Sequence, residues 1–234
     1  MAKTKTIETE ITNTPVKPPR DWGKMYEELE DYFLLNQKRI LLIGGILLGV
    51  ILLVLAYIFL YLGPRQVTAK NQIYKAQEYF AADSLDKALN GDGNNPGFKT
   101  LASDYSETES GNLSQYYLGS IYLRKGDFQK SIDALNKYHA KDVLTAALSL
   151  GMIGDAYSEL NQLDKAMEYY RKAESTNPND FTTPMYLFKE ALILENTNQN
   201  AKALEIYERI KKEYPESSSA RDIDKYIARV KQKI

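Results

Sequence analysis

The chain has 234 residues, with 30 Lys and Arg against 31 Asp and Glu, so it presents no net field to draw in nucleic acid. It holds no cysteine, which excludes disulfides, thiolate chemistry, Cys-ligated metal centres and the acylated cysteine of a bacterial lipoprotein. Its one histidine, His139, excludes a multi-histidine metal site within a single chain.

Residues 1–20, MAKTKTIETEITNTPVKPPR, are rich in Thr, Lys and Pro and nearly free of large apolar groups. They cannot bury enough surface to offset the entropy of ordering, which predicts a disordered tail. Over 21–39 the apolar residues Trp22, Met25, Tyr26, Leu29, Tyr32 and Phe33 recur at helical spacing, opposite Glu27, Glu28, Glu30 and Asp31. Helices that lie on anionic lipid carry Lys and Arg on that polar face, so this amphipathic juxtamembrane helix either extends a span or packs on a protein.

Residues 40–62, ILLIGGILLGVILLVLAYIFLYL, contain no charge, Asn, Gln or Pro and reach about 34 Å as a helix, enough to cross a bilayer once. The segment is too long and starts too late for a cleaved signal peptide, and is expected to be a retained transmembrane helix. Gly44, Gly45 and Gly49 form a small-residue patch where another membrane helix can approach. Pro64 is expected to interrupt or restart the helix. Arg20, Lys24, Lys38 and Arg39 on one side slightly outnumber Arg65, Lys70 and Lys75 on the other, which predicts a cytoplasmic N-terminus with the following domain translocated.

Helical periodicity continues through 64–234 and repeats at longer range. Leu118-Gly119, Tyr122, Gly126-Asp127 and Ile132 are echoed by Ile153-Gly154, Tyr157, Asn161 and Met167. Ala166, Tyr170, Ala173 and Pro178 are echoed in turn by Ala203, Tyr207, Ile210 and Pro215. These are the small and large positions of a tetratricopeptide repeat, two antiparallel helices per unit. The fold class expected is all-α, a single transmembrane helix followed by a right-handed helical solenoid. Repeats are placed at about 112–142, 147–180 and 184–216, after a degenerate unit at 66–106 and before a capping helix at 217–232. In the third repeat Glu190-Ala191 replaces the Leu-Gly pair, and Asn90 to Gly97, NGDGNNPG, reads as a flexible turn without the spacing of a calcium loop.

An N-terminal anchor, a degenerate helix pair and tetratricopeptide repeats together resemble the YfgM-like family of bacterial inner-membrane proteins. The phrases DKALNGDG, GNLSQYYLGSIYL and TPMYLFKEA are similar to Bacteroidota-type members. The resemblance runs from about residue 24 to the end, and the tail before Asp21 has no counterpart in it. It implies a repeat domain on the periplasmic side of the inner membrane, with the SecYEG translocon and the membrane-anchored chaperone PpiD as partners. Two rival roles are a scaffold for peptidoglycan or outer-membrane assembly and a holdase-type chaperone.

No nucleophile elbow, phosphate loop or apolar carboxylate pair is present, so neither enzymatic activity nor a cofactor is expected. His139 reads as a solvated junction residue. Tyr122, Tyr157, Tyr170 and Tyr207 fall on interhelical positions and are expected in the core. Candidate partner-binding positions are Leu113, Tyr116, Ser120, Leu123 and Arg124 in the first clear repeat, and Leu148, Gly151, Asp155, Ser158 and Glu159 in the second. Asp155 and Glu159 argue against an anionic peptide tail there.

Overall fold

The computed structural model describes residues 22–234. The expectations for residues 1–20 lie outside the described residues. Regular structure among those residues is helical, apart from one isolated antiparallel bridge between Gly91 and Pro96. Contacts separate the chain into two compact units, one ending at Ala56 and the other running from Tyr57 to Ile234.

The first unit holds α1 (Trp22–Ala56), one uninterrupted helix of 35 residues with no buried side chain. A Cβ built on Gly44, Gly45 or Gly49 meets nothing within 4 Å, so this glycine patch is open. Among the described residues one helical stretch, Trp22–Ala81, is long and apolar enough to cross a membrane by length and composition.

The second unit begins with a π-helical stretch, Tyr57–Leu62, followed by α2 (Gly63–Ala81), with Pro64 in its first turn. Proline lacks an N–H and crowds the carbonyl four residues back; a stretch bonded over five residues loosens the helix where that conflict arises. The helix restarts at the proline.

Ten helices make up this unit. After α2 come α3 (Leu85–Asn90), α4 (Phe98–Asp104), α5 (Glu109–Arg124), α6 (Phe128–Lys137), α7 (Val143–Glu159), α8 (Leu163–Thr176), α9 (Thr182–Asn196), α10 (Asn200–Glu213) and α11 (Ile223–Lys231). From α4 onward each helix packs on its neighbour in the chain, and α5 with α7 and α7 with α9 touch across the helix between, which is the packing of a solenoid.

One turn recurs four times and sets the repeat. Asp83, Gly126, Asn161 and Asn198 all have positive φ, between 57° and 79°. At each, two backbone N–H groups return to the preceding helix: at Asn161, its own N to Ser158 O (2.9 Å) and Gln162 N to Tyr157 O (2.8 Å). Gly, Asn and Asp are the residues that tolerate this left-handed helix ending. Five residues past each turn stands a fully buried small residue, Ala88, Ser131, Ala166 or Ala203. Seven residues before it stands another, Ala76, Gly119, Gly154 or Ala191, also buried. The pairs let the two helices of each unit close on one another. Where serine replaces alanine, the Ser131 hydroxyl donates to Gly119 O at 2.8 Å, which satisfies it inside the core.

Three features differ from the expected pattern. The Asn90–Gly97 segment is tied, with Asp92 accepting from Asn94 N (2.9 Å), Asn95 N (2.6 Å) and the Tyr79 hydroxyl (2.6 Å). The last helix, expected from Ser217, starts at Ile223. Ser217 Oγ donates to Tyr214 O (2.8 Å) and accepts from Ala220 N (3.2 Å), so serine side chains hold turns where helical bonds would otherwise form. Tyr170 and Tyr207 are buried, whereas Tyr122 and Tyr157 are half-buried at the edges of their clusters.

Candidate partner-binding groove

The C-terminal ends of α5 and α7 lie side by side and, with α6, α8 and α9, wall a groove of about 530 Å³. Leu123 and Arg124 come from α5, Phe128 from the start of α6, Asp155, Ser158 and Glu159 from α7, Tyr170 from α8 and Lys189 from α9. Gly126, at φ 79°, turns the chain between the first two helices at the groove edge.

Asp155 is the hub of this site. Lys189 Nζ donates to both of its oxygens, at 2.5 and 2.7 Å, and the Tyr170 hydroxyl donates to Oδ1 at 2.8 Å. Three helices from two repeats are thereby joined through one carboxylate. Burial, and then the neighbouring Asp155 charge, hold the Tyr170 phenol well above its ordinary range, so it stays a donor. Arg124 is paired with Asp83 and lies over the Phe80 ring, 5.6 Å from its centroid. Glu159 is exposed at the rim. The charges in the groove are therefore largely compensated in pairs, and the surface combines two aromatic rings, a hydroxyl and short-range ion pairs.

Of the ten sequence-derived candidates, the fold brings Leu123, Arg124, Asp155, Ser158 and Glu159 together. Leu113 lines a different groove, of about 480 Å³, with Gln66, Lys70, Ile73, Tyr74 and Gln77 of α2. Tyr116 is half-buried among rings, 5.9 Å from Tyr117 and 5.3 Å from Tyr138. Ser120 is half-buried on α5 and lines neither groove. Gly151 is covered, since a Cβ there would run into the Tyr186 ring. Lys189 was not legible: it lies off the repeat positions that pick out this face, and only the length of its side chain brings it to Asp155. Because Lys189 compensates Asp155, the sequence argument against anionic ligands rests on Glu159 alone.

His139 is exposed, and its backbone N–H and carbonyl are clamped by the Asn112 side chain at 2.8 Å each. No group of three or more His, Cys, Asp or Glu able to hold a metal exists among the described residues.

Two carboxylates are buried instead of exposed. Glu190 stands where the earlier repeats have Leu118 and Ile153, and Arg171 donates to it from Nε (2.8 Å) and Nη2 (2.5 Å). Glu195 is paired with Arg229 (2.6 Å) and Lys233 (2.8 Å), which fastens the C-terminal segment to α9.

Tetratricopeptide-repeat profiles match residues 113–142, 141–180 and 186–217. A relative named "Uncharacterized protein ycf37", from Guillardia theta, is 36% identical over 101 residues, 42% of this chain and 55% of that protein. The match thus spans about half the length of that relative. The repeats mark the chain as a protein–protein interaction scaffold.

Proposed function

We propose that this chain is a membrane-anchored scaffold that holds partner proteins at the periplasmic side of the bacterial inner membrane, beside the Sec translocon and its chaperones. The observation that carries the reading is the Asp155-centred groove, preformed across two repeats in a chain whose described residues also include one candidate span. A groove fixed in advance by Lys189 and Tyr170 avoids the ordering cost that a partner would otherwise bear. The resemblance to YfgM-like proteins in anchor and repeat order supports the translocon and a PpiD-like chaperone as the neighbours. The open glycines Gly44, Gly45 and Gly49 offer a second contact, inside the bilayer.

The test is purification of the full chain from membranes in mild detergent, with identification of bound proteins. Translocon subunits or a membrane-anchored chaperone in the eluate, lost when Lys189 is replaced by Glu, are the expected result. Recovery of cell-wall or outer-membrane assembly proteins instead would replace the secretion reading. Suppression of client aggregation by the chain alone would favour a holdase.

A further inference from the structure

No side chain of α1 is buried, and one line of residues along it is free of charge. Trp22, Tyr26, Leu29 and Phe33 are 57%, 67%, 52% and 59% exposed. These residues continue, at alternating spacings of four and three, through Asn36, Ile40, Ile43, Leu47, Val50 and Val54. That is an unbroken seven-residue repeat over α1, with one polar member, Asn36. A straight helix drifts off a strict seven-residue pattern, so such a seam matches a second helix that supercoils with it. Inside the span any position would be apolar and the pattern carries no information. Over 22–36, where charges are plentiful, Lys24, Glu27, Glu28, Glu30 and Asp31 all fall off the seam.

We propose that a second copy of this chain covers this face: two α1 helices pair in parallel along Trp22 to Val54, with Asn36 facing Asn36 as the one polar layer.

Three arguments select this occupant over lipid or another protein. Because α1 is one uninterrupted helix, residues 22–39 continue along the line of the span for about 27 Å and do not lie in the interface plane. Its outer side there carries Glu27, Glu28, Glu30 and Asp31 against Lys24, Lys38 and Arg39, without the excess of Lys and Arg that binds a helix to anionic headgroups. Finally, two copies in one membrane share direction and depth, so every seam residue meets its own counterpart, and none of the seam residues is charged. The three exposed rings and Leu29 contribute roughly 400 Å² per copy, about half of a standard interface, and the span residues of the seam supply the rest. Gly45 and Gly49 fall on the opposite side of α1 from the seam and stay open to a partner helix.

The absence of cysteine makes the test direct. In the full chain in native membranes, single substitutions Leu29→Cys, Phe33→Cys and Asn36→Cys are compared after mild oxidation with Glu28→Cys, Asp31→Cys and Lys38→Cys. Seam positions should give disulfide-linked dimers in at least about fivefold higher yield, since bridging needs Cα atoms within about 7 Å. Adding Asn36→Asp to Leu29→Cys should cut the dimer several-fold by placing like charges face to face, whereas adding Lys38→Asp should not. Equal yields on both sides of the helix, no dimer at seam positions in protein that has reached the membrane, or a maximum at Gly45→Cys and Gly49→Cys would each overturn the pairing.

Discussion

Gly154 sits at the crossing of α7 and α8, and replacing it even with alanine tests the repeat register. A Cβ at this position would lie 2.6 Å from Cδ1 and Cε1 of Tyr170 and 3.3 Å from the Ala166 carbonyl. Carbon atoms in contact prefer about 3.5–4.0 Å, so the ring must retreat by about 1 Å. It has little freedom to do so. Tyr170 is 3% exposed, its hydroxyl is bonded to Asp155, and its ring stacks on Tyr186 with centroids 6.1 Å apart. In an open helix interior, Gly→Ala would stabilise by roughly 1 kcal/mol through propensity. Overpacking costs about 1–3 kcal/mol, so the net effect of Gly154→Ala is a loss of up to about 2 kcal/mol, and Gly154→Leu is worse. For a unit of this size that lowers Tm by up to about 8 °C, read by circular dichroism on a fragment of residues 63–234. The control is Gly45→Ala in the full chain, where nothing opposes the added methyl and no loss is expected. A raised Tm for Gly154→Ala, or an unchanged Tm for Gly154→Leu, would refute the packing at this crossing.

Burial raises the affinity of the Glu195 carboxyl for protons, but hydrogen bonds from Arg229 and Lys233 outweigh it and hold its pKa below the ordinary 4.5. A depressed folded pKa means that the stabilisation is complete above the unfolded value and is lost as pH falls through the folded one. Glu195→Gln should therefore lower stability by roughly 1–3 kcal/mol at pH 7 and by less at pH 3; an equal difference at both, by denaturant titration, would contradict the pairing. A reporter active only outside the cytoplasm, fused after Ile234, should be active, and an inactive fusion present in membranes would remove the periplasmic assignment. Ile at both Gly45 and Gly49 should leave membrane insertion intact and lower partner recovery in mild detergent. Recovery at the wild-type level would confine recognition to the repeats.

The helical class and the repeats were legible because their signals are local and periodic: the small residues at Gly154, Ala166 and Ala203, the turn at Gly126-Asp127, and a long apolar stretch without charges. The degenerate first unit shares the same turn at Asp83 and the same small pair, Ala76 and Ala88, yet its short helices hide the period. The C-terminal helix was expected too early because apolar spacing from Ala220 onward outweighed the tendency of three consecutive serines to bond their own backbone. The groove was half legible. Repeat register placed Leu123, Arg124, Asp155, Ser158 and Glu159 together, but Lys189 and Tyr170 reach the site through side-chain length and hydrogen bonding, which no spacing encodes. Tyr170 is both core and groove wall, a dual role that a core assignment conceals.

The central claim is that an anchored, preformed groove recruits a protein partner, and the most direct measurement compares two versions of the full chain purified from membranes in mild detergent. In one, Lys189→Glu sets a like charge beside Asp155 and opens the groove. In the other, Lys225→Glu alters charge on the exposed side of α11, away from it. The account predicts that the first loses at least about tenfold of the partner bound by the wild type, while the second retains it. Equal recovery by both, with the repeat unit still folded, would contradict the claim.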